Sequence, residues 1–159
     1  MMGIDPGLIT TGFGVIDIHK DKPRIVDAGT IKPNPKDVFP ARLAKVHTCL
    51  TQIIATNKPD VVVLEKLYAH HKHPATSSIL GHVRGVICLA VIQGGVTLEE
   101  HSVKRIRKAL LGNGNASKEQ VREFMVRQFQ ISKTHLALDT SDALALALGY
   151  AHMMRYSII

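Results

Sequence analysis

Four carboxylates in this sequence stand where packing alone would not put them. Asp5 ends the first apolar run and precedes Pro6-Gly7, and Glu65 ends the unbroken run Val61-Val62-Val63-Leu64. Asp139 and Asp142 interrupt the apolar stretches Leu136-Ala137-Leu138 and Ala143 to Leu148. A buried carboxylate without a partner is costly enough that it neutralises, pairs or binds a cation. Asp139 and Asp142 are spaced i, i+3, so on a helix they share a face and aim at one point. If the strands ending at Asp5 and Glu65 lie side by side, those two acids converge as well. Clustered hard oxygen donors select Mg²⁺ or Mn²⁺, and a pair of such ions about 4 Å apart serves phosphoryl transfer. Plainer roles stay open residue by residue. Asp139 or Asp142 can be a first-turn or capping acid of a helix, Asp5 a turn former, and Glu65 the partner of a nearby lysine.

The basic residues are distributed just as unevenly. The chain has 20 Lys and Arg against 13 Asp and Glu, a formal charge of +7. Between Lys104 and Lys133 lie Lys104, Arg105, Arg107, Lys108, Lys118, Arg122, Arg127 and Lys133 with only Glu119 and Glu123 opposing them, so +6 of the +7 falls in one short segment. A basic segment of this kind can be a solvated helical face, but such concentration favours a surface for phosphates. Acids in the core with bases on a flank describe a nuclease.

Elements that would position these groups can be read from periodicity and punctuation. Met1 to Asp5, Thr11 to Ile18 and Arg24 to Ile31 are predicted strands with short connections, an antiparallel meander. A helix is predicted over Pro40 to Asn57, with Leu43, Val46, Leu50, Ile53 and Ile54 on one face. Asp60 to Glu65 has the continuous apolar character of a central strand. Ser77 to Gln93 is apolar nearly all round and predicts a buried helix, in which Gly81 and Gly85 would let another element approach closely. Val96 to Glu100 is a further strand. Ser102 can cap a short basic helix ending before Gly112, and Ser117 with Gln120 forms a capping box for a helix reaching about Phe129. A last helix runs from Thr140 to Tyr156. Three strands in a meander, then strands joined through helices, make a mixed-sheet α/β pattern.

The 159 residues suit one domain, residues 1–159, and are short for two. No repeat or linker divides them, and 45% hydrophobic with 21% charged residues excludes a disordered or fibrous chain. No secretory leader is evident, and the apolar stretch Ala143 to Ala151 is far below the ~18 residues of a spanning helix, so no membrane association is expected. Cys49 and Cys88 lack metal or redox spacing and read as buried thiols of a reducing compartment, which favours the cytoplasm.

Five motifs in order give the chain a family resemblance along essentially its whole length. They are Gly3-Ile4-Asp5-Pro6-Gly7 with Thr11-Gly12-Phe13-Gly14-Val15; Val63-Leu64-Glu65 with Tyr68; Leu80-Gly81-His82-Val83-Arg84-Gly85-Val86; Gly112-Asn113-Gly114-Asn115-Ala116 with Lys118, Gln120 and Val121; and Asp139-Thr140-Ser141-Asp142-Ala143-Leu144-Ala145. In these residues the sequence resembles the RuvC-type Holliday junction resolvases, the crossover junction endodeoxyribonucleases. The resemblance implies an RNase H-like fold with a mixed five-stranded sheet, a homodimer for which the helix from Ser77 to Gln93 is a candidate interface (burial inside the monomer being the equal alternative), and Mg²⁺-dependent symmetric nicking of four-way junction DNA in recombination and repair. It implies that Asp5, Glu65, Asp139 and Asp142 are catalytic acids holding two metal ions, Mg²⁺ or alternatively Mn²⁺. Lys118 matches a basic active-site residue at the scissile phosphate, and Tyr68 an aromatic, commonly Phe, that packs on bases near the exchange point. Lys104, Arg105, Arg107, Lys108 and Lys118 are then the candidate DNA contacts, and a branch-migration helicase complex is the further partner that the family implies.

The sequence departs from the family pattern in places. Arg107 replaces the usual Lys, a planar fork in place of a point charge. Only Met1 and Met2 precede the first motif, and no basic tail follows Tyr156. His70, His71 and His73 lie in the loop after Glu65 and suit phosphate contact or solvent better than zinc. His82 and His135 are expected to be structural. Two other function classes compete: a non-catalytic basic nucleic-acid-binding module, and a phosphate-loop phosphotransferase of the actin-like class. The first leaves four acids at element ends unexplained; the second normally needs two domains.

Overall fold

The computed structural model describes residues 1–20, 22–66 and 74–156. Five strands form one mixed sheet in the order β3-β2-β1-β4-β5. Strands β1 (Met2–Asp5), β2 (Thr11–His19) and β3 (Lys22–Ile31) make the antiparallel meander. Strands β4 (Val61–Glu65) and β5 (Thr97–His101) join it in parallel, β4 against β1 and β5 against β4. The intervening helices are α1 (Phe39–Asn57), α2 (Pro74–Gln93), α3 (Val103–Leu111), α4 (Lys118–Phe129) and α5 (Leu138–Tyr156), with a short 3-10 turn at Lys133–His135. The RNase H-like mixed sheet expected from the sequence is therefore present.

Strand periodicity divides the core into two layers. Met2, Ile4, Phe13, Val15, Val62 and Leu64 face Val46, Leu50 and Ile54 of α1 and Val83, Ile87 and Val91 of α2. The alternate residues Ile16, Val61 and Val63 face Ile106 and Leu110 of α3, Val121 and Met125 of α4, and Leu144 and Leu148 of α5. Because side chains alternate across a strand, Gly3, Asp5 and Glu65 belong to the second layer by parity. The helix ends follow their local chemistry. Ser102 Oγ accepts from Arg105 N, and Ser117 and Gln120 exchange both bonds of a capping box, as the sequence predicts.

The α2 helix departs from one of its two expected roles, burial inside the monomer. It is not buried all round: Val83, Ile87, Ala90 and Val91 enter the core, whereas Ile79, Leu89 and Ile92 are 39%, 51% and 66% exposed. Among the described residues nothing lies within 4 Å of the place a Cβ would take on Gly81 or Gly85. By length and composition Ala75–Gln93 is also long and apolar enough to cross a membrane, a property the sequence reading did not ascribe to it. In the fold that apolar character divides between the core and an outer face.

Candidate active site

The carboxyl ends of the parallel strands carry the first two acids. The last register pair between β1 and β4 is Ile4 with Leu64, so Asp5 and Glu65 follow it on adjacent strands and on one face. The other two acids arrive on α5. That helix lies unusually close to the sheet because three glycines floor the contact: a Cβ on Gly3 would stand 1.9 Å from the Ala143 carbonyl oxygen, and one on Gly12 2.1 Å from that of Asp139. The Leu144 side chain fills the space over Gly14. The start of α5 is also tied laterally. Thr140 Oγ1 donates to the Gly29 carbonyl at 3.2 Å, and Arg122 donates to the Leu136 and Lys133 carbonyls at 2.8 Å each. Asp139 and Asp142 thus sit in the first turns of a helix pressed onto β2 and onto β1, the strand that carries Asp5.

Lys118 enters at the start of α4, where the capping box sets the first turn. Its Nζ meets Asp142 Oδ2 at 2.6 Å. Burial pushes the Asp5 carboxyl up to about 7; Lys118 opposes this, while Asp142, Glu65 and Asp139 add to it. Glu65 is also raised, first by burial and then by Asp142, against the pull of Lys118, Arg107 and Arg84. Burial alone would lower the Lys118 ammonium, but its hydrogen bond to Asp142 and the surrounding carboxylates hold it above its ordinary value. These shifts mark carboxyls held out of water beside one another, with Lys118 offsetting only part of that cost.

Two clefts meet at this point. Asp5, Glu65, Asp142, Lys118 and Arg107 line the first, over Val103, Ile106 and Val121. Asp139 opens instead onto a second cleft, shared with Asp5, Lys118, the Pro6 to Thr10 loop, Ile79 and Leu80. Asp5 and Lys118 border both. Among the described residues no three His, Cys, Asp or Glu side chains stand close enough together to hold a metal ion. The donor chemistry nevertheless fits a hard divalent cation: the acids offer oxygen donors only, and a second cation would relieve the raised proton affinities of Asp5 and Glu65. The cation now against Asp142 is Lys118, on a flexible stem with its side chain 56% exposed.

The basic segment does not form one surface. Lys104, Arg105 and Lys108 are exposed on α3. Arg107 turns into the first cleft, where its Nη1 donates to the Ala116 carbonyl at 2.7 Å. Lys133 pairs with Glu119 and Glu123, and Arg122 braces the approach to α5, so both are engaged within the protein. Tyr68, His70, His71 and His73 lie outside the described residues. His82 and His135, expected to be structural, are both exposed; His82 keeps an edge contact with Phe39 at 5.5 Å between ring centroids.

One residue was missed by reasoning about site chemistry. Arg84, which stands in the sequence only as one residue of the third motif, donates to the Glu65 carbonyl at 2.6 Å and pairs with Glu100. Its signal was available: it is the single Lys, Arg, Asp or Glu in the twenty residues of α2, and a lone charge in an apolar helix requires a partner.

Comparison with known proteins extends these observations. The family described as crossover junction endodeoxyribonuclease RuvC matches residues 1–150. A protein of that name from Rhodopirellula baltica is 38% identical over 148 residues, covering 93% of this chain and 83% of its own. Another from Bordetella petrii is 38% identical over 153 residues, with coverage of 96% and 83%. Among solved structures, that of Thermus thermophilus RuvC superposes with a TM-score of 0.87 at 24% identity, covering 99% of this chain and 97% of the other. The yeast mitochondrial Holliday junction resolvase superposes at 0.69 with 16% identity, covering 98% and 80%, a likeness of fold.

Proposed function

The chain belongs to the RuvC family of crossover junction endodeoxyribonucleases, and we propose that the acid-lined clefts at the ends of β1 and β4 are where it cuts DNA. It is a phosphodiester hydrolase that resolves Holliday junctions in recombination and repair. The observation that carries the proposed site is the meeting of Asp5 and Glu65, on adjacent parallel strands, with Asp142 and Lys118 in one cleft.

In this reading Asp5, Glu65, Asp139 and Asp142 hold Mg²⁺, two ions per site, with Mn²⁺ as the substitute. When bound, such ions activate water and stabilise the leaving oxygen of an in-line displacement. The protein's own groups do the remainder. The apolar floor of Val103, Ile106 and Val121 limits water and strengthens every charge above it. Lys118, released from Asp142, supplies an ammonium to the scissile phosphate and its developing charge. Lys104, Arg105 and Lys108 on the outside of α3, and Arg107 in the cleft, hold the DNA backbone. Tyr68 is proposed to pack on bases at the exchange point.

Symmetric paired nicks need two sites, which a two-fold dimer supplies. The outer face of α2 suits that role: Ile79, Leu89 and Ile92 are exposed, and Gly81 and Gly85 leave room for a second backbone. We further propose that residues 1–159 act as one nuclease domain in the cytoplasm, and that a branch-migration helicase complex delivers the junction. The test is synthetic four-way junction DNA against linear duplex, with Mg²⁺ and with ATP hydrolysis followed in parallel. Asp5→Asn should keep salt-sensitive junction binding and lose cleavage; full nicking by this variant would sink the assignment.

A further inference from the structure

Beyond the residues that face the substrate, Arg84 stands behind the site. It lies on α2 with its side chain only 17% exposed, and its guanidinium forks. Nη1 donates to the backbone carbonyl of Glu65 at 2.6 Å, and Nη2 pairs with the carboxylate of Glu100 on β5. The need for this bond follows from the sheet. The β1–β4 ladder ends with Ile4 and Leu64, so the Glu65 peptide extends beyond its β1 partner. On the β5 side the next link is Lys66 N donating to the His101 carbonyl at 2.9 Å. A strand end that leaves its ladder needs another donor for its carbonyl. A planar guanidinium serves two acceptors through one rigid fork, whereas an ammonium offers rotatable donors on a flexible stem.

We infer that Arg84 is a positioning residue for cleavage: its fork fixes the Glu65 peptide against β5 and thereby aims the Glu65 carboxylate into the cleft. The inference rests on the assignment of Glu65 to the active site. Without the fork the last peptide of β4 is free to rotate, and a displacement of about 1 Å at a reacting group lowers rates by about 100-fold.

The test uses the full chain with Arg84→Met, Arg84→Lys, Glu100→Gln and Glu65→Gln. Single-turnover cleavage is measured at saturating junction, beside metal-free junction affinity and Tm. Arg84→Met should cleave about 10- to 100-fold more slowly while affinity stays within about twofold. Arg84→Lys should recover part of that loss by restoring one donor. Arg84→Lys combined with Glu100→Gln should be non-additive, since both act through one fork. Affinity falling in step with rate would make Arg84 a DNA contact and overturn the inference. Normal cleavage by Arg84→Met beside an inactive Glu65→Gln would overturn it while leaving the site intact. Normal cleavage by Glu65→Gln would instead remove the site assignment itself. Should Arg84→Met not fold, the Lys variant and the double variant decide, with full rate or strict additivity counting against the inference.

Discussion

Replacing Gly12 by alanine should disable cleavage far more than it destabilises the fold. Gly12 lies on β2 opposite Asp5 in register, and its missing side chain is what allows α5 to approach. An added Cβ would stand 2.1 Å from the Asp139 carbonyl oxygen and 2.4 Å from its carbon, whereas ordinary contact begins near 3.4 Å. Both colliding groups are backbone, so no rotamer relieves the clash, and the start of α5 must withdraw by about 1 Å. Overpacking of this kind costs about 1–3 kcal/mol, which for a domain of this size lowers Tm by roughly 3–10 °C. The withdrawing turn carries Asp139 and Asp142 away from Asp5. Single-turnover nicking should therefore fall by about 100-fold. Junction affinity should hold, because α3 is untouched. The assay is nicking of a labelled four-way junction at a temperature where the variant is fully folded, with Tm measured beside it. Gly29→Ala is the control, since there the Cβ meets only the Phe13 ring at 3.2 Å and the ring can yield. Wild-type nicking by folded Gly12→Ala would refute the claim that close α5–β2 contact sets the acid geometry.

Three further outcomes are expected. The folded metal-free protein holds Asp5 near 7 against a usual 3.8, so the folded state binds more protons between those values and stability falls as pH rises through that window. Asp5→Asn should flatten that part of a Tm-against-pH profile and raise the metal-free Tm above pH 7; an unchanged profile would show that Asp5 is not destabilising. Lys118→Ala should lose more in cleavage rate than in junction affinity, measured by single-turnover kinetics and titration, and equal losses would reduce Lys118 to a docking contact. Leu89→Arg on the exposed face of α2 should convert the proposed dimer to monomer in sedimentation, with the stability of the monomer fold changed by no more than about 0.5 kcal/mol; a dimer persisting in the variant would place the interface elsewhere.

Much of this arrangement was legible in the order of residues. The capping signals Ser102 and Ser117-Gln120 act within one turn, so they mark α3 and α4 closely, and the unbroken Val61 to Leu64 run identifies a strand covered on both faces. The α2 helix was read less well. Its apolar circumference predicts burial, but periodicity cannot tell a face buried within one chain from a face left for another. The +6 segment likewise looked like one surface and became three things: exposed α3 cations, Arg107 and Lys118 in the cleft, and Arg122 and Lys133 engaged within the protein.

The sequence by itself determined the kinds of groups available and the local conformations that carry them. Hard carboxylates occur at element ends, glycines stand within β1 and β2, and Asp5 and Glu65 each close an apolar strand. Those properties depend on neighbours a few residues away and so are written in short spacings. Only the tertiary structure decided who meets whom. It set Lys118 against Asp142, turned Asp139 toward a second cleft, and brought Arg84 of α2 to the carbonyl of Glu65. Each of these contacts joins segments distant in the chain, and burial of apolar surface drives such packing without direction. The interdigitation of particular side chains, and here the closeness that three glycines permit, then selects the partners.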